Sequence, residues 1–276
     1  MSRSIRLAFL VVALSMLILL PAGAQAQTAP NPKGPVMMEW LGWSHFRFTT
    51  PSGTVVLINP FTNNPDSPIS ASSIKKADLI FVADSHPDEQ GSAIEIAQAT
   101  GATVFAPGDL GSWMVERGVP RTQVVPFAAP GDKITVGGVT ARMVESVHSS
   151  GLPQPSAAIP YGGIAAGVIL TFENGYTVYF GGSTPAMAEQ ALWAEMYKPH
   201  LIILHMGTRH DPIDIAMQAR LFRNPNLDAV MPHHHRQVQA AGTTSIADVR
   251  SAMDAMSLNT RIAVPEVGRV YSLQPR

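Results

Sequence analysis

Leu79-Ile80-Phe81-Val82-Ala83-Asp84-Ser85-His86-Pro87-Asp88-Glu89 runs from an apolar stretch straight into a cluster of four ionisable side chains. The apolar half reads as a buried strand, and Gly91-Ser92-Ala93-Ile94-Glu95-Ile96-Ala97 reads as the opening of a helix. Catalytic groups collect at such strand-to-helix junctions, where strand ends open onto a cleft. Asp84, Asp88 and Glu89 repel one another at this spacing unless a cation, protons or solvent relieves them. The segment therefore reads as the core of a metal site.

Histidine placement extends that reading. His148 ends a strand-like run over 140–147, and His233-His234-His235 follows the apolar residues 229–232. His86, His148 and His234 thus each lie just past an expected strand end, and neutral imidazole is a common ligand of zinc and related ions. Each residue also has an ordinary explanation. A lone histidine is often a hydrogen-bonded structural residue, Asp84 can cap a loop, and Asp88 and Glu89 suit the positive end of a helix.

Strand-like runs lie at 37–40, 46–49, 54–58, 79–83, 103–106, 124–127, 133–136 and 140–147. In the second half, 167–172 and 176–180 flank the hairpin connection Glu173-Asn174-Gly175. Residues 201–205 and 229–232 read as buried strands, and 261–264 and 269–273 are placed to close the sheet. Helical patterns at 92–99, 110–117, 186–196, 213–222 and 245–256 lie between them. Hairpins mixed with helix-linked strands predict an α/β fold, two sheets sandwiched between helices in a four-layer αββα arrangement.

The N-terminus predicts export. Ser2-Arg3-Ser4-Ile5-Arg6 supplies positive charge, residues 7–20 are apolar, and Ala24-Gln25-Ala26 fits a small-x-small cleavage pattern. Residues 1–26 are therefore expected to be a signal peptide, 27–35 a disordered leader, and 36–276 one domain in the periplasm or secreted. The apolar run is shorter than the roughly 20 residues of a spanning helix, so no membrane association is expected after cleavage. The 276 residues contain no cysteine, which excludes disulfides, thiolate ligands and a cysteine nucleophile. A net charge of −1 without a basic block excludes nucleic acid as a natural partner. A small-molecule substrate is the expected partner.

The chain resembles the metallo-β-lactamase superfamily, in particular its small metal-dependent hydrolases that include the ascorbate-phosphate lactonases. The resemblance is carried by Trp40-Leu41-Gly42 with Ser44 and Phe46, Ile58-Asn59-Pro60-Phe61, Ala77-Asp78-Leu79-Ile80 and the His86 segment. It continues through Gly101-Ala102, His148-Ser149-Ser150, Tyr161-Gly162-Gly163, Gly167, Gly182-Ser183-Thr184 and Pro232-His233-His234. The family signature His-x-His-x-Asp-His here reads Asp84-x-His86-x-Asp88-Glu89. Ser183 stands where the family has a bridging aspartate, Asn59 where the branch has an aspartate, and Trp43 where it has a histidine.

The resemblance implies one metal site of Asp84, His86 and His148 and another of Asp88, Glu89 and His234. Loss of the bridge weakens a two-metal clamp, so a single divalent ion (zinc, manganese, iron or magnesium) is expected. More oxygen ligands shift the preference toward harder ions. Asp88 is the candidate to orient the metal-activated water and accept its proton. Ser183, Arg209 and His210 are candidates to bind substrate. The expected function is metal-dependent hydrolysis of a lactone, ester or phosphoester. The alternative is a non-catalytic member of the same fold that binds a small ligand or a protein. A serine hydrolase fits poorly, because Gly181-Gly182-Ser183-Thr184-Pro185 lacks the second glycine of a nucleophile elbow.

Overall fold

The computed structural model describes residues 31–152, 161–235 and 244–276. The expected signal peptide lies outside the described residues, as does the 153–160 part of the loop after His148. The end of the expected leader forms a turn, in which the Gly34 amide donates to the Asn31 carbonyl at 2.8 Å. Among the described residues no helix is long and apolar enough to cross a membrane.

Two sheets carry the fold. The first is built from β1 (Val36–Trp40), β2 (Phe46–Thr49), β3 (Val55–Ile58), β4 (Leu79–Phe81), β5 (Thr103–Phe105) and β13 (Val270–Leu273), in the order β13-β1-β2-β3-β4-β5. The second contains β6 (Lys133–Val136), β7 (Val139–Glu145), β8 (Ala166–Thr171), β9 (Thr177–Phe180), β10 (Leu201–His205), β11 (Ala229–His233) and β12 (Arg261–Ile262), in the order β12-β11-β10-β9-β8-β7-β6. Residues 261–264 and 269–273 therefore close two different sheets rather than one.

Alternation along the strands sorts side chains to the two faces of each sheet. Met38, Trp40, Phe46, Phe48, Val56 and Phe81 of the first sheet meet Met143, Val168, Leu170, Phe180, Ile203 and Met231 of the second in one buried core. The opposite face of the first sheet, with Leu57, Ile80 and Val104, packs on α2 (Ala93–Thr100) and α3 (Gly108–Glu116) through Ile96, Leu110 and Met114. The outer face of the second, with Ile169, Tyr179, Ile202 and Val230, is covered by Ile215, Phe222, Val249 and Met253. Of these, Ile215 lies on α5 (Pro212–Leu221) and Val249 and Met253 on α6 (Ile246–Ala255); α4 (Glu189–Tyr197) adds Ala194 to the same layer. The result is the expected αββα sandwich.

Parallel pairing decides where the site lies. β3, β4 and β5 run parallel, as do β9, β10, β11 and β12. The carboxyl ends of β4, β10 and β11 and the end of β7 then open onto one cavity. Residues 124–127 are not a strand. Val124 makes an isolated bridge with Val104, Val125 donates to the Val104 carbonyl at 3.0 Å, and Pro126 has no amide to continue the ladder.

Candidate metal centre

The turn after β4 is closed by local donors and acceptors. Asp84 is 1 % exposed, and its Oδ1 accepts from the His86 amide at 2.9 Å and lies 3.0 Å from His86 Nδ1. His86 caps the short helix α1 (Pro87–Gln90), where Pro87 occupies a position that needs no donor and Asp88 and Glu89 fill the first turn. The ordinary helix-dipole role of these two carboxylates is thus also realised. The first turn projects Asp88 and Glu89 into the cavity.

Gly91 terminates α1 with φ of 48°. A Cβ there would lie 2.6 Å from both the Phe61 amide nitrogen and the Pro60 carbonyl oxygen. Only glycine lets the chain pass this backbone. Gly91→Ala is therefore expected to cost about 1–3 kcal/mol and to displace Asp88 and Glu89. Urea denaturation and dication binding, measured together, check both effects.

Asp84, His86 and His148 come together. One ligand atom from each lies within 4.8 Å of the others, and the His86 and His148 rings meet edge-on at 5.1 Å. This is the one such group of three among the described residues. Asp88, Glu89 and His234 meet more loosely: Asp88 Oδ2 and Glu89 Oε1 each lie 3.4 Å from His234 Nε2. Trp43, also in the cavity wall, holds His234: the His234 amide donates to the Trp43 carbonyl at 3.0 Å and its ring meets the Trp43 ring edge-on at 5.4 Å. Trp43 and His234 both adopt positive φ, 52° and 53°.

Asn59 joins the two halves of this region. Its Oδ1 accepts from the Ala83 amide at 2.9 Å and its Nδ2 donates to Glu89 Oε2. The other Glu89 oxygen is buried without a hydrogen bond. Burial pushes the Glu89 carboxyl well above the usual range, and the Asp84 and Asp88 charges push it further. For Asp88, burial acts upward but is outweighed by the hydrogen bond and charge of His234, which hold it below the usual range. The hydrogen bond to Asp84 raises His86 against the effect of its burial, while burial lowers His148. Crowded carboxylates, one with a buried oxygen that has no hydrogen bond, beside imidazoles form a donor set that suits a divalent cation.

His86, Asp88, Glu89, His148 and His234 line a cavity of about 410 Å³, with Asp84 and Asn59 buried behind them. Ser183, Arg209 and His210 line it too, with Ser183 buried and Arg209 exposed. His205, Gly207 and Thr208, which no motif in the sequence marks, complete the wall. His205 ends β10 as His148 follows β7, so the strand-end pattern that singled out the other histidines applied to it as well. Its ring lies tilted against those of His210 and His234, with centroids 3.9 Å and 4.3 Å away, and burial holds it well below the ordinary histidine value.

Known proteins share the sequence family and the fold. A family model for the beta-lactamase superfamily domain matches residues 54–255. A UPF0173 metal-dependent hydrolase of Koribacter versatilis is 33% identical over 198 residues, covering 71% of this chain and 82% of that protein. Another, from Cupriavidus taiwanensis, is 31% identical over 284 residues, covering 95% and 98%. Among solved structures, Igni18, a metallo hydrolase from Ignicoccus hospitalis, has a TM-score of 0.71 and 22% identity over 87% of this chain and 99% of that one. The isothiocyanate hydrolase from Delia radicum gut bacteria has a TM-score of 0.62 and 13% identity over 87% of this chain and 100% of that one. These structures share the fold, and the sequence matches carry the relationship further. The chain belongs to the metallo-β-lactamase superfamily, among its metal-dependent hydrolases.

Proposed function

We propose that the protein hydrolyses a lactone, ester or phosphoester at a remodelled site, with one divalent ion held by Asp84, His86 and His148. The observation that carries this reading is the convergence of those three ligand atoms within 4.8 Å, with His86 and His148 in the cavity wall. Two imidazoles with one carboxylate suit zinc, manganese or iron(II) better than magnesium or calcium. A bound dication would supply a water of lowered pKa and stabilise negative charge developing on the substrate oxygen.

The remaining work falls to the chain's own side chains. Asp88 stays ionised beside His234 and accepts the proton of the attacking water. Glu89, tied to Asn59, is held toward its protonated form by burial and by Asp84 and Asp88, so a cation entering the cavity would take the place of that proton. Arg209 lies exposed at the cavity wall and forms no ion pair among the described residues, which suits it to an anionic group on the substrate. Ser183, a weak ligand, leaves room where a bridging carboxylate would sit.

Protein purified without chelators is expected to carry about one dication per chain, by elemental analysis, and to turn over members of a lactone, ester and phosphodiester panel. Absence of turnover with zinc, manganese and iron each added would favour the non-catalytic binding role. We also propose that the chain is exported, on the strength of the charged start, apolar run and Ala24-Gln25-Ala26. The exported product is expected to begin at Gln27; an uncleaved product, seen by intact mass, would overturn this.

A further inference from the structure

His233 is the residue whose chemistry the proposed reaction leaves unused. It is 0 % exposed at the end of β11, with its ring against Phe180 at 4.7 Å. Its Nε2 lies 3.0 Å from the Gly182 carbonyl oxygen and its Nδ1 lies 2.9 Å from His234 Nδ1. No carboxylate pairs with it among the described residues. A charged imidazole buried without a counter-ion is disfavoured, so the ring is neutral and carries one proton.

Donor and acceptor accounting then fixes both rings. The Gly182 carbonyl can only accept, so His233 carries its proton on Nε2. Its Nδ1 is left with a lone pair, and the short contact to His234 requires His234 to donate from Nδ1. His234 Nε2 is consequently the atom that faces Asp88 Oδ2 and Glu89 Oε1, each 3.4 Å away. His234 Nε2 and the two carboxylates thus face one another, a donor set that a cation can share.

We infer that His233 is a positioning residue: it relays the Gly182 carbonyl to His234 and holds His234 in the tautomer whose Nε2 lone pair is presented to a cation. The carbonyl is itself held in place by a glycine. Gly182 has φ of 62°, and a Cβ there would meet the Ala166 carbonyl oxygen at 2.9 Å. In metal sites a ligating histidine commonly gives its second N–H to a carbonyl or carboxylate. Here a second histidine intervenes. The inference rests on the reading of this cavity as a dication site but makes its own spectroscopic claim.

The test is imidazole ¹⁵N NMR on the metal-free protein at about pH 8, above the ordinary histidine range, followed by zinc titration. Wild-type His234 is expected to be protonated at Nδ1, and His233 at Nε2. His233→Asn keeps an acceptor for His234 and should retain that tautomer. His233→Leu removes it and should give mixed tautomers, with zinc affinity read at His234 about 10- to 100-fold weaker. A wild-type His234 without a proton on Nδ1 overturns the inference, as does an unchanged Nδ1 proton and affinity in His233→Leu. If His233→Leu does not fold, the wild-type tautomer and the His233→Asn titration decide. Zinc shifts at His86 and His148 without any at His234 overturn this inference alone; no shifts at His86 and His148 overturn the proposed three-residue site instead.

Discussion

Protein carrying both His86→Ala and His234→Ala is expected to lose its dication and its hydrolytic activity. His86 supplies one of three converging ligand atoms, and His234 is the imidazole facing Asp88 and Glu89. Removing both leaves Asp84, Asp88 and Glu89 as a set of repelling carboxylates, with His148 the one imidazole left of the two sets. Lewis-acid stabilisation is worth several kcal/mol, so kcat/KM should fall on the order of 10³-fold or more. The fold should survive, because Asp84 still accepts from the backbone amide at position 86 and the inter-sheet core is untouched. Elemental analysis of wild type and variant purified side by side is the direct check. Equal dication content in the two would remove the basis of the proposed chemistry.

The second large effect concerns acid. His45 is fully buried, and neither ring nitrogen has a hydrogen-bond partner. Burial lowers its pKa from 6.5 to about 3, with a smaller contribution from Arg47. In the unfolded chain His45 takes up a proton as pH falls through about 6.5, whereas the folded chain resists until about 3. The unfolded state thus binds more protons between those values. Stability tied to His45 is complete above about 6.5 and declines as pH drops toward 3, by about 5 kcal/mol in total. Buried His205 and His233 act in the same direction. His45→Leu removes an unpaired polar group from the interior and should match or exceed wild-type stability at neutral pH. It should also flatten the acid side of the profile. Urea midpoints at neutral pH and near pH 4.5 test this; parallel losses in both proteins would mean that His45 is not the acid-sensitive group.

Local pattern carried much of the architecture. The run 79–83 reads directly as β4 because five consecutive apolar residues suit a strand buried on both faces. Glu173-Asn174-Gly175 reads as the connection between β8 and β9 because Gly175 supplies the positive φ the turn requires, 87°. What local pattern lacks is partner choice. Nothing in residues 261–264 or 269–273 states which sheet each one joins, since that depends on strands far away in sequence. Val124-Val125 has strand composition, yet Pro126 ends its pairing, and Phe127 turns out at φ of 54°.

The site shows the same division. Ligand types, and the exchange of histidine for Asp84 and Glu89, are visible in the order of residues. The wall formed by His205, Gly207 and Thr208 required the β10 end to be placed beside β11 in register, with His205 opposite His233. The His233–His234 relay likewise depends on where the Gly182 carbonyl points.

Asp84 and His86 follow a strand of the first sheet, whereas His148 follows a strand of the second. An ion gripped by all three is therefore a rivet across the seam between the two halves of the sandwich. Its binding energy adds to cohesion between the sheets by mass action, and a shift in the seam loosens its grip in return. Truncating Phe46 or Phe180, which meet edge-on at 6.2 Å inside that seam, should thus weaken dication binding from a distance. In the proposed hydrolase, catalytic alignment and mechanical integrity would be one property.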